Sequence, residues 1–170
     1  MTKDEIERRY LLRKMPVLPI TEPPLDIIQY YTHRNSQYSL RVRSINYQEF
    51  LITYKEGKGL VRKESETHID VEVFEIMKKC AMGYTHKDRY LYQPDSFLWE
   101  IDLFKELLHG VVIAEVEIET VKTQVEIPKL IENELVAEVT YDHRFSNMFF
   151  AGLSRKEVVE LLEEYGVILQ

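Results

Sequence analysis

The 170-residue sequence predicts a mainly β protein in which about eight strands close into a barrel, flanked by a few helices including one at the C-terminus. Three observations predict it. Alternation with period two recurs along most of the chain, with β-branched and aromatic residues set between charges. One face of nearly every such segment is charged and the other largely apolar. On most segments the charges are sorted by sign into acidic and basic sets rather than mixed. A hydrophobic content of 45% supplies enough apolar material for one globular domain spanning 1–170, and no repeat or linker divides it.

Strands are expected near 4–12, 26–32, 38–45, 49–56, 60–69, 84–93, 96–104, 111–120 and 135–141. In the first, Glu5, Glu7 and Arg9 project together while Ile6 and Tyr10 project the other way. Pro16, Pro19, Pro23 and Pro24 then forbid a helix or central strand over 13–25, leaving a loop placed to form a rim or lid. Along the next strands the shared charged faces are Arg41 with Arg43, Thr53 with Lys55, and Arg62 with Glu64 and Glu66. From Val71 the segment VEVFEIMKKCAMG changes to helical spacing. Alternation resumes with Lys87 and Arg89, then Glu100 and Asp102, then Glu115, Glu117 and Glu119. The intervening Leu40, Val42, Ile52, Tyr54, Trp99, Ile101, Leu103, Val116 and Ile118 require a cover on the opposite face. A second helix begins at Ser154, which with Glu157 forms a capping box, and Gly166 marks its stop. Its stripe of Val158, Leu161, Leu162 and Tyr165 is expected to pack on the barrel.

A charged strand face is ordinarily a solvated one, and a surface selected for solubility mixes its signs. Here like charges repeat at two-residue spacing. Enclosed side by side, Glu115, Glu117 and Glu119 would repel and their pKa values would rise unless cations neutralised them. A divalent metal removes that conflict. Carboxylate donors without a histidine or cysteine pair favour Mg2+ or Mn2+ over zinc. The basic set in turn needs a polyanion, for which arginine offers paired planar donors and lysine a point charge.

Composition excludes several other classes. A net charge of -7 argues against nonspecific binding to nucleic acid. Cys80 is the only cysteine, which rules out an intrachain disulfide and a multi-cysteine zinc site and suits a reducing compartment. The histidines at 33, 68, 86, 109 and 143 match no ligand spacing. The N-terminal segment is charged, and no stretch reaches the roughly 18 apolar residues of a membrane span, so a cytosolic location is expected.

The block EIERRYLL resembles the ExExK signature of the CYTH proteins, also called triphosphate tunnel metalloenzymes. RVRS, FLITYKEGKGLVRKESE, KDRYLY, WEIDLF, AEVEIE and EVTYDHRFSN resemble successive family strands in the same order, so the likeness runs from Glu5 to about Ala151. The resemblance implies an antiparallel eight-stranded tunnel holding a small-molecule triphosphate and a divalent metal. It implies phosphate contacts at Arg9, Arg41, Arg43, Lys55, Lys87 and Arg89, with Arg144 as an addition. It implies metal ligands at Glu64, Glu66, Asp102, Glu115 and Glu117. Glu5 and Glu7, together with Glu117, are implied to hold a second metal and the attacking water. The signature lysine is Arg9 here, which keeps the charge but cannot donate a proton. Arg62, Glu100 and Glu119 stand open between site residues and supporting ion pairs. The resemblance points first to hydrolysis of inorganic tripolyphosphate, with thiamine, nucleoside or RNA triphosphates and ATP cyclisation as alternatives. A noncatalytic sensor would be expected to lack Glu5, Glu7 or Glu117, and an apolar-ligand carrier would need an apolar lumen. Monomer and homodimer both remain open.

Overall fold

The computed structural model describes residues 3–19, 21–35, 37–57 and 60–169. The strands are β1 (Lys3–Leu12), β2 (Leu25–Arg34), β3 (Tyr38–Ile45), β4 (Glu49–Glu56), β5 (Val61–His68), β6 (Tyr84–Tyr92), β7 (Trp99–Phe104), β8 (Val112–Glu117) and β9 (Leu135–Glu138). They follow one another as β5-β4-β3-β2-β6-β7-β8-β1, and β1 pairs back to β5, closing an eight-stranded barrel whose pairings are all antiparallel. β1 makes the closure. Its Glu7–Leu12 portion pairs with β8, while its other edge meets β5 through Lys3–Ile6 and then β9 through Tyr10–Leu12.

Alternation decides what each face meets. On the outside of β1, β7 and β8, residues Tyr10, Leu12, Trp99, Ile101, Val112, Ala114 and Val116 form one buried cluster. Met15 and Leu18 of the proline-rich segment and Val125, Ile127 and Ile131 of the segment after β8 pack on it. The prolines therefore lead an outer cover and not a lid: none of the described residues between 13 and 25 lines the central cavity, and Ile20 lies outside the described residues. Helix α1 (Val71–Lys78) crosses the outside of β2, β3 and β4 on its way from β5 to β6, setting Phe74 against Tyr30 and Phe50.

The inward faces change character along the barrel. Leu11, Phe104 and Ile113, which continue the inward faces of β1, β7 and β8, join Phe145 and Phe150 in a second buried cluster. Val158, Leu161 and Leu162 of helix α4 (Arg155–Glu164) complete it and close that end of the barrel with an apolar layer. The expected capping box of α4 is present, with Ser154 accepting from the Glu157 backbone N–H and the Glu157 side chain accepting from Ser154.

Three strands are shorter by three or more residues than their alternation predicts. β7 starts at Trp99 because Asp95 accepts the Phe97 backbone N–H at 2.7 Å, holding a turn. β8 stops at Glu117, and a turn from Thr120 to Thr123 follows, so Glu119 leaves the sheet and does not extend the acidic row. β9 ends at Glu138, beyond which the Thr140 hydroxyl takes the Arg9 backbone N–H at 3.0 Å. Helices α2 (Lys129–Glu132) and α3 (Asn147–Phe150) are single turns, too short for a periodic signal. No helix among the described residues is long and apolar enough to cross a membrane.

Candidate active site

The charged half of the barrel encloses a cavity of about 770 Å³. Into it β1 sends Glu5, Glu7 and Arg9, β3 sends Arg41 and Arg43, β4 sends Lys55, and β5 sends Arg62, Glu64 and Glu66. β6 contributes Lys87 and Arg89, β7 Glu100, and β8 Glu115 and Glu117. Most of these inward charges meet an opposite charge across the cavity wall. Lys55 Nζ lies 2.8 Å from Glu5 Oε1 and 2.7 Å from Glu64 Oε2. Arg43 pairs with Glu66, which also accepts from the Thr53 hydroxyl at 2.6 Å. Arg89 donates to both oxygens of Asp102 at 2.7 Å, to Glu115 at 2.9 Å, and to Glu100.

These partners set the charges. Burial would raise Glu5, but Lys55 and Arg62 outweigh it and hold its carboxyl below the usual range. Burial likewise opposes Asp102, and Arg89 and Lys87 overcome it. Glu115 goes the other way: burial, with the charges of Glu7 and Asp102 beside it, pushes it up to about 7. Burial and the adjacent Arg89 push the Lys87 ammonium down, while Asn147 accepts from its Nζ at 3.2 Å. Arg41 stands apart among the described arginines of the cavity. It makes no ion pair, and its guanidinium donates to the Tyr31 hydroxyl at 3.5 Å.

Like charges also face one another. Glu7 is directly opposite Glu117 in the β1–β8 register, and Glu100 is opposite Glu115 in the β7–β8 register. Such pairs destabilise a sheet unless something positive sits between them. The donors are hard carboxylate oxygens on three adjacent strands, so the residues fit a divalent cation of the oxygen-preferring kind. Among the described residues no three acidic or histidine side chains already converge into a cage, because most of these carboxylates turn toward arginine and lysine.

The structure brings together in the cavity wall nearly all the residues singled out from the sequence, and besides Glu119 sets two elsewhere. Asp102 is fully buried and spends its oxygens on Lys87 and Arg89, so it stands behind the wall as their support rather than as an open ligand. Arg144 lies outside the cavity, held by Asp142 at 2.8 Å and Glu164 at 2.7 Å, because a helical turn at His143–Phe145 directs it toward α4. Arg9 reaches the cavity but gives its guanidinium to the backbone carbonyls of Phe145 at 3.0 Å and Thr140 at 3.3 Å. Arg62, left open from the sequence, lies squarely in the wall. It shares an inward face with Glu64 and Glu66, a signal that was available in the alternation. Gln29, Tyr31 and Asn147 also line the cavity, and as neutral polar residues they carried no charge signal.

Known proteins resemble this arrangement. An inorganic triphosphatase of Nitrosomonas europaea is 34% identical over 150 residues, covering 86% of this chain and 96% of that protein. One of Acetivibrio thermocellus is 32% identical over 115 residues, covering 66% and 74%. The crystal structure of an inorganic triphosphatase superposes with a TM-score of 0.60 at 28% identity, covering 88% of this chain and 95% of that one. The CYTH domain model matches residues 4–146, nearly the whole barrel together with the segment that walls its cavity, and the chain belongs to the CYTH domain family.

Proposed function

We propose that the chain is a hydrolase that releases the terminal phosphate of a short triphosphate, inorganic tripolyphosphate first, with Mg2+ or Mn2+ as its metal. One observation carries the reading: acidic and basic side chains share a single enclosed cavity, with carboxylates crowded where β1, β7 and β8 meet and again on β5, and most of the cations on β3, β4 and β6. The names of the relatives supply the reaction class, and family membership implies the divalent metal.

Arg41, Arg43, Lys55, Lys87 and Arg89 bind the phosphate oxygens. Arg41 offers a guanidinium engaged only by a tyrosine hydroxyl, so it accepts a phosphate without breaking an ion pair. Asp102 fixes the rotamers of Lys87 and Arg89 from behind, so these two donors are preorganised for the substrate. Glu5, Glu7, Glu115 and Glu117, with Glu64 and Glu66 further round the wall, are the residues that would hold metal. A divalent cation bound there supplies positive charge for the phosphates and lowers the pKa of coordinated water. Glu5 and Glu7 orient the water that attacks the terminal phosphorus, the bond to the bridging oxygen breaks, the diphosphate leaves with its electron pair, and the proton shed by the water is taken up by the departing phosphate products. The arginines and lysines stabilise the charge that develops on the leaving oxygens. A cytosolic setting agrees with the lone cysteine.

Phosphate release from tripolyphosphate, ATP and thiamine triphosphate, measured with Mg2+, Mn2+ or EDTA in wild type and Glu7→Ala, tests the assignment. Metal-dependent release that favours tripolyphosphate and falls at least roughly 100-fold in the variant is expected. Undiminished hydrolysis by Glu7→Ala would sink it.

A further inference from the structure

Glu5 and Glu7 carry much of the proposed metal chemistry, yet their charges are already answered from within the chain. The Arg62 guanidinium bridges them, its Nη2 lying 3.0 Å from Glu5 Oε2 and 3.2 Å from Glu7 Oε1. Among the described residues it is the only cation that contacts both. Register explains the placement: Arg62 stands directly opposite Glu5 in the β1–β5 pairing, and Glu7 is the next inward position of β1.

The neighbouring cations have other duties. Lys55 divides itself between Glu5 and Glu64, and Arg9, whose Nε lies 3.4 Å from Glu7 Oε1, gives its two terminal nitrogens to backbone carbonyls. Among the described residues Arg62 contacts no other acidic group, and its buried Nε meets no partner. A guanidinium with unspent donors, on a long stem beside a polyanion cavity, has a second place to go.

We propose that Arg62 is a resident counter-ion of the metal-binding pair: it holds the position between Glu5 and Glu7 until a polyphosphate draws its guanidinium away, and so competes with the divalent cation. The inference rests on the reading that Glu5 and Glu7 bind metal. It follows that metal alone binds weakly, that polyphosphate opens the carboxylates to it, and that each ligand raises the affinity for the other by the same factor. A merely structural ion pair would behave differently, since its loss would weaken the β1–β5 closure and leave metal affinity unchanged or lower.

The test uses Mn2+ alone, without any polyanion, titrated by calorimetry and by the paramagnetic resonance signal of the free ion. Wild type, Arg62→Gln, Arg62→Lys, Glu7→Gln and the Arg62→Gln/Glu7→Gln double variant are compared, with circular dichroism to establish folding. Arg62→Gln is expected to bind Mn2+ on the order of tenfold more tightly than wild type, the scale of a typical coupling between sites. Arg62→Lys should fall between them, because an ammonium keeps the charge but lacks the planar fork. The double variant should lose the gain. A folded Arg62→Gln with unchanged or weaker Mn2+ affinity, or a double variant that retains the gain, overturns the proposal. If Arg62→Gln does not fold, Arg62→Lys decides by the same criterion. Glu7→Gln separates the two readings: wild-type Mn2+ affinity in that variant removes Glu7 from the metal site, whereas weakened affinity there beside an unaltered Arg62→Gln removes only the counter-ion role.

Discussion

The barrel has two interiors built by the same strands. β1 presents Glu5, Glu7 and Arg9 to one and Leu11 to the other; β7 presents Glu100 and then Phe104; β8 presents Ile113 and then Glu115 and Glu117. Backbone pairing does not distinguish the two halves. What differs is how each relates to stability. In the apolar half, burial is favourable by about 25 cal/mol per Å² removed from water. In the charged half, taking ions out of water costs several kcal/mol each, and their attraction repays it only where hydrogen bonds are complete. The contrast teaches that the apolar end stabilises a fold whose other end is held in a costly arrangement for the sake of a ligand.

The sharpest way to break that comparison is to damage the end that is meant only to stabilise. Leu162 is 1% exposed, inside the cluster that α4 closes. Leu162→Ala is expected to cost about 2–5 kcal/mol and lower the melting temperature by roughly 5–15 °C. At a temperature where the variant remains folded, its KM for tripolyphosphate should match wild type. A raised KM alongside the lower melting temperature would mean that the two halves are mechanically coupled.

The charged end should show the opposite behaviour, gaining stability when a charge is removed. Glu115 titrates near 7 because of burial and of the charges of Glu7 and Asp102, against an ordinary value of 4.5. A raised folded-state pKa means that this group's stabilising contribution is fully present below about pH 4.5 and is lost as pH rises through about 7. Above pH 7 without metal the ionised carboxylate therefore burdens the fold. Glu115→Gln should stabilise the metal-free protein at pH 8 by on the order of 1–3 kcal/mol, with the advantage vanishing near pH 4.5. Its amide oxygen still accepts from Arg89, so the 2.9 Å contact survives the change. Thermal melts in EDTA across that range check the sign. A variant less stable than wild type at pH 8 would show that the Arg89 pair outweighs the crowding.

The charged half was the more legible in the sequence, since a period of two exposes any face whose residues are all ionic. Arg41, Arg43, Lys55, Lys87, Arg89 and the carboxylates of β5 and β8 could be assigned to one lumen from spacing alone. Depth could not. Asp102 has the same parity as Glu100, yet it is fully buried behind two cations, because register sets it opposite Ile113, one inward position from Phe104. The anchoring of Arg9 was also invisible, since its partners are backbone carbonyls 131 and 136 residues away, and any residue type presents a carbonyl. The proline segment was recognisable as a loop, but nothing local says on which side of the wall a loop will lie. Its Met15 and Leu18 found the apolar outer face.

Arg144 gives the smallest expected effect and the closest test of sidedness. It shares its residue type with Arg89 and sits in a block that resembles the family, but it follows β9, where alternation has ended and a helical turn sets its direction. Its hydrogen bonds hold the Asp142 carboxyl down to about 2, a contribution present above the ordinary 3.8 and lost as pH falls toward 2. At 32% exposure the side chain is well solvated, so its pairs with Asp142 and Glu164 are worth only about 0–1 kcal/mol at neutral pH. Arg144→Ala should therefore shift the melting temperature by no more than a few degrees and leave KM for tripolyphosphate unchanged. A severalfold rise in KM would mean that this guanidinium leaves Asp142 and Glu164 for the phosphate. The wall of the cavity would then include the segment after β9 as a moving part, and the division between a fixed apolar end and a ligand-responsive charged end would have to be drawn below residue 144.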